Sequence, residues 1–290
     1  GPEIVPVAVA ALEALDRKLG LGISLEAIPI GFASLETAGN TFPDEALARA
    51  QDSDGVIMGP TDTLAYPPLS EGGRGPSAFM RTGCDLYANI RPAKTRAGLP
   101  SAVDNMDLVF ARENTEGFYA DRSMHMGNGE MMVTEDVAIA VRKITREACT
   151  KIAHAAFKLA MQRRKKVTIV TKRNVLKMTD GLFHDTVRAI GAEYPEVEVD
   201  DVIIDAMSAL MVRTPDAFDV VCTSNMYGDI LSDLCAGLVG GLGLAPGANI
   251  GEKAAIFEAV HGSAPDIAGK KIANPCALLL AAAQMLDHLG

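Results

Sequence analysis

The sequence lacks any apolar run long enough to span a membrane. Its longest apolar runs, such as residues 277–283, are far shorter than the ~20 residues that a transmembrane helix needs. Basic residues are also outnumbered: 27 Lys and Arg stand against 37 Asp and Glu, which gives a net charge of −10. An acidic surface repels both phosphate backbones and anionic lipid headgroups. We therefore expect neither a membrane nor a nucleic acid as a partner.

Cysteine is scarce and does not occur in paired motifs. The five cysteines form no Cys-x-x-Cys pair, and their number is odd. Four of them lie in apolar or helical stretches, where a free thiol behaves as a small hydrophobic side chain. We therefore expect a reducing, cytoplasmic environment. No Cys/His metal spacing and no Ser/His/Asp set stands out, so the sequence gives little support to a zinc site or a triad hydrolase.

The sequence does contain short apolar strands that alternate with helical segments. The helices are predicted over residues 4–19 and 135–160. The strands are predicted over residues 56–58, 108–110, 167–170, 202–204 and 220–222. This alternation indicates an α/β sheet covered on both faces. The 290 residues are sufficient for one large domain or two modest ones.

Two segments interrupt this alternation. Residues 62–77 are rich in proline and glycine, which predicts a long loop, and long loops are often functional. Residues 237–251 are rich in glycine and contain Gly241-x-Gly243, but Pro246 stands where a dinucleotide-binding fingerprint has its third glycine. No acidic residue follows a second strand at the expected distance. The sequence therefore argues against a Rossmann fold.

Three arginines and two aspartates occur in patterns that suit an acidic substrate and a metal ion. Arg81, Arg91 and Arg112 each stand beside an apolar or strand-like segment and can bind carboxylates bidentately. Three separate surface salt bridges are the alternative. Asp229 and Asp233 lie four residues apart on one stripe of a predicted helix, and Mg²⁺ and Mn²⁺ prefer such oxygen ligands. Compensation of the helix dipole is the alternative for this pair.

Three further positions are candidates for proton transfer or nucleotide binding. Lys172 follows the strand at residues 167–170, and the carboxyl ends of strands in open α/β sheets face the ligand crevice. Tyr119 can be a general acid or a hydrogen-bonded core tyrosine. Residues 261–269 form a turn-rich segment with an acidic residue that can accept from ribose hydroxyls. On position alone, a solvated lysine and a surface loop are the simpler interpretations.

Taken together, these stretches resemble the β-decarboxylating dehydrogenases, the family of isocitrate, isopropylmalate, homoisocitrate and tartrate/malate dehydrogenases. The resemblance extends over nearly the whole chain. Its most specific parts are residues 85–92, 112–117, 225–233 and 261–269. It implies a two-domain α/β fold of the isocitrate/isopropylmalate dehydrogenase type. It also implies metal-dependent oxidation and decarboxylation of a 2-hydroxy acid that carries a carboxylate on the neighbouring carbon.

The resemblance implies roles for individual residues. Substrate binding falls to Ser77, Arg81, Arg91 and Arg112. Metal binding falls to Asp205, Asp229 and Asp233. Proton transfer falls to Tyr119, which protonates the enolate carbon, and to Lys172, which handles the hydroxyl proton. The cofactor site comprises Asn174 at the nicotinamide end and, at the adenosine end, His261, Gly262, Ser263, Ala264, Asp266, Ile267 and Asn274.

The resemblance also implies a cofactor and an assembly. NADP-using members of the family place Lys and Tyr where Asp266 and Ile267 stand here, which favours NAD, together with Mg²⁺ or Mn²⁺. In this family the equivalents of Lys172 and Asp205 reach across from the partner subunit. The implied assembly is therefore a homodimer, or a higher homo-oligomer, with shared active sites.

The implied domains are discontinuous. Residues 1–86 and 240–290 would form the large, cofactor-side domain, and residues 87–239 the small domain that carries dimerisation, metal and substrate residues. We expect both termini to be trimmed, with a strand missing before Gly1 and the extreme C-terminus missing after Gly290.

The substrate is left open by the resemblance. A polar Ser77, four residues before Arg81, does not favour an isopropyl group, and residues 256–260 look more like NAD-isocitrate enzymes. An isocitrate-like substrate is therefore favoured over isopropylmalate, homoisocitrate or tartrate/malate. A non-catalytic regulatory subunit is the rival of another class, against which the intact Tyr119 and Lys172 argue. The related 4-hydroxythreonine-phosphate dehydrogenase type would need metal-binding histidines in place of the aspartates.

Overall fold

A computed structural model describes residues 1–119, 124–126 and 129–290. The α-helices in these ranges are α1 (Val5–Leu19), α2 (Phe32–Ala38), α3 (Asp44–Gln51), α4 (Pro76–Gly83), α5 (Arg146–Met161), α6 (Thr179–Gly191), α7 (Ile204–Arg213), α8 (Asn225–Leu238) and α9 (Cys276–Leu289). The strands are β1 (Val56–Met58), β2 (Ala88–Lys94), β3 (Asp107–Glu113), β4 (Glu130–Thr134), β5 (Val137–Ala140), β6 (Lys166–Thr171), β7 (Glu198–Ile203), β8 (Val220–Thr223), β9 (Pro246–Ile250) and β10 (Ala255–Ala259).

The described residues divide into two compact units, of which the first comprises Gly1–Leu86 and Leu242–Gly290. In this unit β1 runs parallel to β10, and β10 pairs antiparallel with β9. Phe42, Met80 and Ile256 belong to its buried apolar cluster, whose removal from water stabilises the packing at about 25 cal/mol per Å² of apolar surface.

The second unit, Tyr87–Gly241, contains five strands in the order β2-β3-β8-β6-β7. Strand β2 is antiparallel to β3, whereas β3, β8, β6 and β7 run parallel to their neighbours. Phe110, Val221 and Leu231 lie in its buried core. Because parallel strands end at the same edge, the residues that follow β3, β6 and β8 are brought to one side of the sheet.

The predicted α/β class is confirmed, and several elements fall where the pattern placed them. The helix predicted over residues 4–19 is α1, and the strand predicted over 56–58 is β1. The strand predicted over 202–204 ends at Ile203, because Ile204 begins α7. The predicted loop at 62–77 contains two short 3₁₀ turns, and its last two residues already belong to α4.

The long helix predicted over residues 135–160 is wrong. Residues 137–140 form β5, which pairs antiparallel with β4, and α5 begins only at Arg146. The β-branched Val137 and Ile139 alternate with alanines, a pattern that suits a strand. Thr145 caps α5, since its hydroxyl accepts a hydrogen bond from the Ala148 amide at 3.2 Å. A prediction from helical periodicity alone does not take this N-cap into account.

No helix within the described ranges is long and apolar enough to cross a bilayer.

The cap at Thr145 generates a stability prediction. Thr145→Ala removes the capping oxygen and a hydrogen bond of 2.8 Å to Glu116, so the free energy of unfolding should fall by about 0.5–2 kcal/mol. Thr145→Ser keeps the hydroxyl and should stay near the parent protein. Urea unfolding measures both variants. Equal losses for Ala and Ser would show that the hydroxyl contributes nothing.

Candidate active site

Two buried arginines converge on one aspartate in the second unit. Arg91 lies on β2 and Arg112 on β3, and both side chains are buried. Arg112 Nη1 donates to Asp229 Oδ1 at 2.5 Å, and Arg91 Nη1 donates to the same oxygen at 2.9 Å and to Asp233 Oδ1 at 3.2 Å. The Tyr119 hydroxyl donates to Asp229 Oδ2 at 3.2 Å. The structure therefore brings five of the predicted site residues together.

Neutral acceptors fix the orientation of both guanidinium groups. Arg91 Nε donates to Asn89 Oδ1 at 2.7 Å, and its Nη1 donates to Ser232 Oγ at 2.9 Å. Arg112 donates from Nε and Nη2 to Asn225 Oδ1, at 3.0 and 2.7 Å. Because these acceptors carry no charge, they orient the arginines without neutralising them.

Sequence analysis missed Asn225 and Ser232, although a signal was present. The two residues lie four before and three after Asp229 on α8, and this spacing puts all three side chains on one stripe of a helix. A search along that stripe for polar residues would have found both.

Gly228 allows α8 to approach Arg112 closely. A Cβ atom at this position would lie 2.6 Å from Arg112 Cγ and 2.7 Å from Arg112 Cβ, which is closer than real carbon atoms come. The stem of Arg112 is buried and cannot move aside freely. A residue without a side chain is therefore required where Asp229 is to meet Arg112.

The segment that leads to Tyr119 is held by two buried carboxylates. Glu113 accepts hydrogen bonds from the Thr115 amide at 2.6 Å, the Thr115 hydroxyl at 2.7 Å and the Glu116 amide at 3.0 Å. Burial raises the pKa of the Glu113 carboxyl above its usual value. Glu116 accepts in turn from the Thr145 amide at 2.7 Å. The backbone before Tyr119 is thus fixed on both sides.

Lys172 and Asp205 form a separate pair. Lys172 directly follows β6, and its Nζ donates to Asp205 Oδ1, near the start of α7, at 2.6 Å. That hydrogen bond lowers the pKa of the Asp205 carboxyl. Both side chains retain solvent exposure, 28% and 70%, and Asn174 lies exposed in the turn that follows Lys172. The pair is therefore open to a ligand or to another chain.

The aspartates of α8 have the chemistry of a divalent-cation site. The side chains of Asp229 and Asp233 are 35% and 46% exposed, and carboxylate oxygens are the ligands that Mg²⁺ and Mn²⁺ prefer. Burial raises the pKa of the Asp233 carboxyl against the opposing effect of Arg91. Within the ranges that the structure describes, no three acidic, histidine or cysteine side chains form a metal cluster. Asp205 therefore does not complete a three-carboxylate site with this pair inside one chain.

The remaining substrate candidates lie in the first unit. Arg81 is buried on α4, with its Nη2 3.6 Å from Glu258 Oε1. Asn249 Nδ2 donates to the same Glu258 oxygen at 2.8 Å. Ser77 stands one helical turn before Arg81, so both side chains lie on one face of α4. Sequence analysis did not single out Glu258.

The predicted adenosine segment also lies in the first unit. Ala264 adopts a left-handed backbone conformation with φ of +47° before a 3₁₀ turn over Pro265–Ile267. This turn leaves Asp266 exposed. The Gly269 amide donates to Glu3 at 2.6 Å, which ties the end of the segment to residues before α1. Asn274 Oδ1 accepts from the Cys276 amide at 3.0 Å and so stabilises the start of α9.

Comparison with known proteins identifies the family. The model of the isocitrate/isopropylmalate dehydrogenase family matches residues 1–290. An isocitrate/homoisocitrate dehydrogenase from Thermus thermophilus is 44% identical over 100% of this chain and 83% of its own length. A 3-isopropylmalate dehydrogenase from Archaeoglobus fulgidus is also 44% identical, with the same two shares. The chain belongs to the isocitrate/isopropylmalate dehydrogenase family.

Further relatives support this assignment. A probable isocitrate dehydrogenase [NAD] subunit alpha, mitochondrial, from Drosophila melanogaster is 39% identical over 100% of this chain and 73% of its own length. The crystal structure of isocitrate dehydrogenase from Methylococcus capsulatus superposes with a TM-score of 0.88 at 44% identity, over 100% of this chain and 83% of that one. Members of the family are decarboxylating dehydrogenases that generally use a nicotinamide cofactor and a divalent metal.

The close approach at Gly228 generates a prediction with a control in the same helix. Ala is usually favoured over Gly in a helix by about 1 kcal/mol. Gly228→Ala should nevertheless lower the free energy of unfolding by about 1–3 kcal/mol, because its Cβ overlaps the stem of Arg112. A Cβ at Gly237, also on α8, meets nothing within 4 Å, so Gly237→Ala should stabilise. Urea unfolding measures the free energy of unfolding of both variants. A change of the same sign in the two would contradict this packing.

Proposed function

We propose that this chain catalyses the NAD-dependent oxidative decarboxylation of an isocitrate-like 2-hydroxy acid, assisted by Mg²⁺ or Mn²⁺. The observation that carries the proposal is the convergence of Arg91, Arg112 and Tyr119 on Asp229. In this proposal Arg91 and Arg112 bind substrate carboxylates, Asp229 is a metal ligand and Tyr119 is the proton donor, and their mutual contacts support assigning them to one cluster. Membership of the dehydrogenase family supports the class of reaction.

The proposed steps balance charge and protons among these groups. Lys172, in its neutral amine form, accepts the hydroxyl proton while the carbon-bound hydrogen leaves as hydride to NAD⁺. The adjacent carboxylate then leaves as CO₂, and its bonding electrons pass to the neighbouring carbon. Tyr119 protonates that carbon. Asp229, Asp233 and Asp205 would hold the divalent cation. When bound, it would polarise the substrate oxygen at which negative charge develops.

We assign the proposed selectivity for acids to three arginines. Arg81, Arg91 and Arg112 each present a guanidinium group, and a di- or tricarboxylate can engage such groups bidentately. Ser77 offers a hydroxyl one helical turn from Arg81, which suits a polar substituent better than an isopropyl group. The names of the relatives include isocitrate, homoisocitrate and 3-isopropylmalate. An isocitrate-like acid is our choice, with isopropylmalate, homoisocitrate and tartrate or malate as alternatives.

NAD is the proposed coenzyme, and residues 261–274 its proposed adenosine site. The exposed carboxylate of Asp266 can accept from a ribose 2′-hydroxyl and repels a 2′-phosphate. His261, Gly262, Ser263 and Ala264 precede it in the same turn, and Ile267 and Asn274 follow. The relative from Drosophila melanogaster is named an NAD enzyme subunit.

A homodimer with shared sites is the proposed assembly, or a higher homo-oligomer built from it. Asp205 pairs with Lys172 and does not join a three-carboxylate cluster within the described part of the chain, so a second copy would have to supply it. The ribbon formed by β4 and β5 supports this view. All of its residues are exposed, including Met132 at 64%, Val133 at 57% and Ile139 at 45%. Apolar surface of this kind marks interaction sites.

The cysteines support a cytoplasmic location. All five are free thiols, and Cys84, Cys149, Cys222 and Cys235 are buried. Buried free thiols behave as apolar core residues and are compatible with a reducing compartment.

A substrate panel tests the proposed function. Isocitrate, homoisocitrate, isopropylmalate, tartrate and malate are each offered with NAD and Mn²⁺, and NADH formation and CO₂ release are followed. We expect the highest kcat/KM with isocitrate and loss of turnover when the metal is chelated. Absence of turnover with every acid, in protein shown to be folded, would overturn the proposal in favour of a non-catalytic subunit.

The exposed Asp266 generates a prediction of coenzyme preference. The parent protein should show a higher kcat/KM with NAD than with NADP, because the carboxylate repels the 2′-phosphate. Asp266→Lys combined with Ile267→Tyr should move this ratio towards NADP. Asp266→Asn serves as the control, since it removes the repulsion without adding an attraction. A parent protein that prefers NADP would contradict the role of Asp266.

Tyr119 generates a prediction that separates the two chemical steps. Tyr119→Phe removes the proton donor but leaves the arginines and aspartates in place, so steady-state turnover should fall about 10²–10⁴-fold. Hydride transfer should survive, and a stopped-flow trace should show a burst of one NADH per site. Asp229→Asn should suppress the burst too, because Asp229 contacts both arginines. Loss of the burst in Tyr119→Phe, with substrate still bound, would assign Tyr119 to the first step.

A further inference from the structure

A buried ion pair that is not itself among the proposed catalytic residues contacts the segments that carry two of them, Tyr119 and Lys172. Arg142 follows β5, and Asp180 lies in the first turn of α6. Their side chains are only 6% and 1% exposed, and Arg142 Nη1 donates to Asp180 Oδ1. A buried ion pair gains little net stability over apolar packing, because both charges must be desolvated. What the pair holds in place is therefore more informative than its own energy.

Asp180 fixes the backbone at Lys172. While Oδ1 of Asp180 accepts from Arg142, its Oδ2 accepts from the backbone amide of Lys172 at 2.5 Å. This contact occurs where β6 has just ended, so no strand partner holds that amide. The direction in which Lys172 leaves the strand towards Asp205 thus depends on the Asp180 carboxylate.

Arg142 fixes the segment of Tyr119 and the start of α8. Its Nη2 donates to Ser224 Oγ, at the N-cap of α8, at 3.0 Å. Its guanidinium carbon lies 5.7 Å from the centre of the Phe118 ring, next to Tyr119, within the range of a cation–π contact. The next residue, Lys143, exchanges two backbone hydrogen bonds with Gly117, at 2.9 and 3.0 Å.

We propose that the Arg142–Asp180 pair is a positioning device that serves two active sites from one chain. Through Phe118 and Ser224 it holds Tyr119 and Asp229 for the site of its own subunit. Through the amide of Lys172 it holds the lysine that acts in the site of a second copy of this chain. The inference rests on the proposed function, in which those two residues work in different sites of a dimer. A defect in one pair should then impair both sites.

A matched aspartate in the same unit supplies the control. Asp219 is also buried, accepts from Arg163 Nε at 2.8 Å through one oxygen and accepts from the Arg164 amide at 2.8 Å through the other. It precedes β8, whereas Lys172 follows the parallel strand β6, so the two residues lie at opposite ends of the strands.

Asp180→Asn should lower kcat about 10- to 100-fold, because small displacements of catalytic groups are costly, with KM changing less than about threefold. Asp219→Asn should leave kcat within about twofold. Equal effects of the two variants on kcat would overturn a positioning role.

A second set of variants separates positioning from folding. The double variant Arg142→Met with Asp180→Leu removes both charges, which avoids a lone buried charge, and its thermal unfolding is compared with that of the parent. We expect a folded protein with a low kcat. Arg142→Lys keeps the charge but cannot reach Asp180 and Ser224 together as the guanidinium fork does, so its kcat should be intermediate. A folded double variant with parental kcat would overturn the proposal.

Mixed dimers with two different tags test the two-site claim. Parent paired with Tyr119→Phe has one intact site and should retain about half of the parental activity. Parent paired with Asp180→Asn should fall well below half, since each site receives one misplaced group. Retention of half would confine the defect to one site and overturn the inference. A third dimer, Tyr119→Phe with Lys172→Ala, tests the shared site itself: it should recover about half. If that dimer is inactive, or no mixed dimer forms, the shared-site proposal fails, and with it the two-site claim.

Discussion

Two buried guanidinium groups need negative partners, and the second unit of this protein is arranged around that need. Removing a cation from water costs several kcal/mol unless it is paired and hydrogen-bonded. Arg91 and Arg112 share one carboxylate, that of Asp229, and also donate to the side-chain oxygens of Asn89 and Asn225 respectively. Neutral amides satisfy donors without cancelling charge. With Asp233 counted, two guanidinium groups face two carboxylates, so the formal charges of the cluster cancel, and a metal ion bound by the aspartates would leave the arginines available to an acidic ligand.

The geometry of this cluster depends on elements far apart in sequence. Arg112 comes from β3 and Asp229 from α8, which begins directly after β8. Because β3 and β8 are parallel neighbours, the end of one and the helix that follows the other meet at the same edge. Gly228 then removes the side chain that would keep the helix away from the arginine. The contact between Arg112 and Asp229 therefore depends on their opposite charges, on the parallel pairing of β3 with β8 and on the absence of a side chain at Gly228.

The sequence predicted the fold class, and it singled out five residues that the structure brings together, for identifiable reasons. Spacing alone paired Asp229 with Asp233, because a helix places residues four apart on one side. It could not choose between a metal site and dipole compensation, and the family resemblance supplied that choice. The prediction of one helix over residues 135–160 was wrong, because the N-cap at Thr145 and the pairing of β5 with β4 outweigh the helical periodicity of the sequence. The contact of Arg142 with Asp180 joins positions 38 residues apart, and no local pattern signals such a pair.

The exposed β4–β5 ribbon has a consequence for how the protein is made. Among the described residues β4 pairs only with β5, and a two-stranded ribbon is marginally stable alone. This ribbon also presents Met131, Met132 and Val133 to solvent. In the proposed dimer a partner would cover this ribbon, and until then a newly synthesised subunit exposes apolar strand surface of the kind that promotes aggregation. Under that proposal, the yield of native protein in a producing cell depends on how quickly subunits assemble. Slow synthesis at low temperature lowers the concentration of unassembled subunits. It should therefore favour native protein over inclusion bodies.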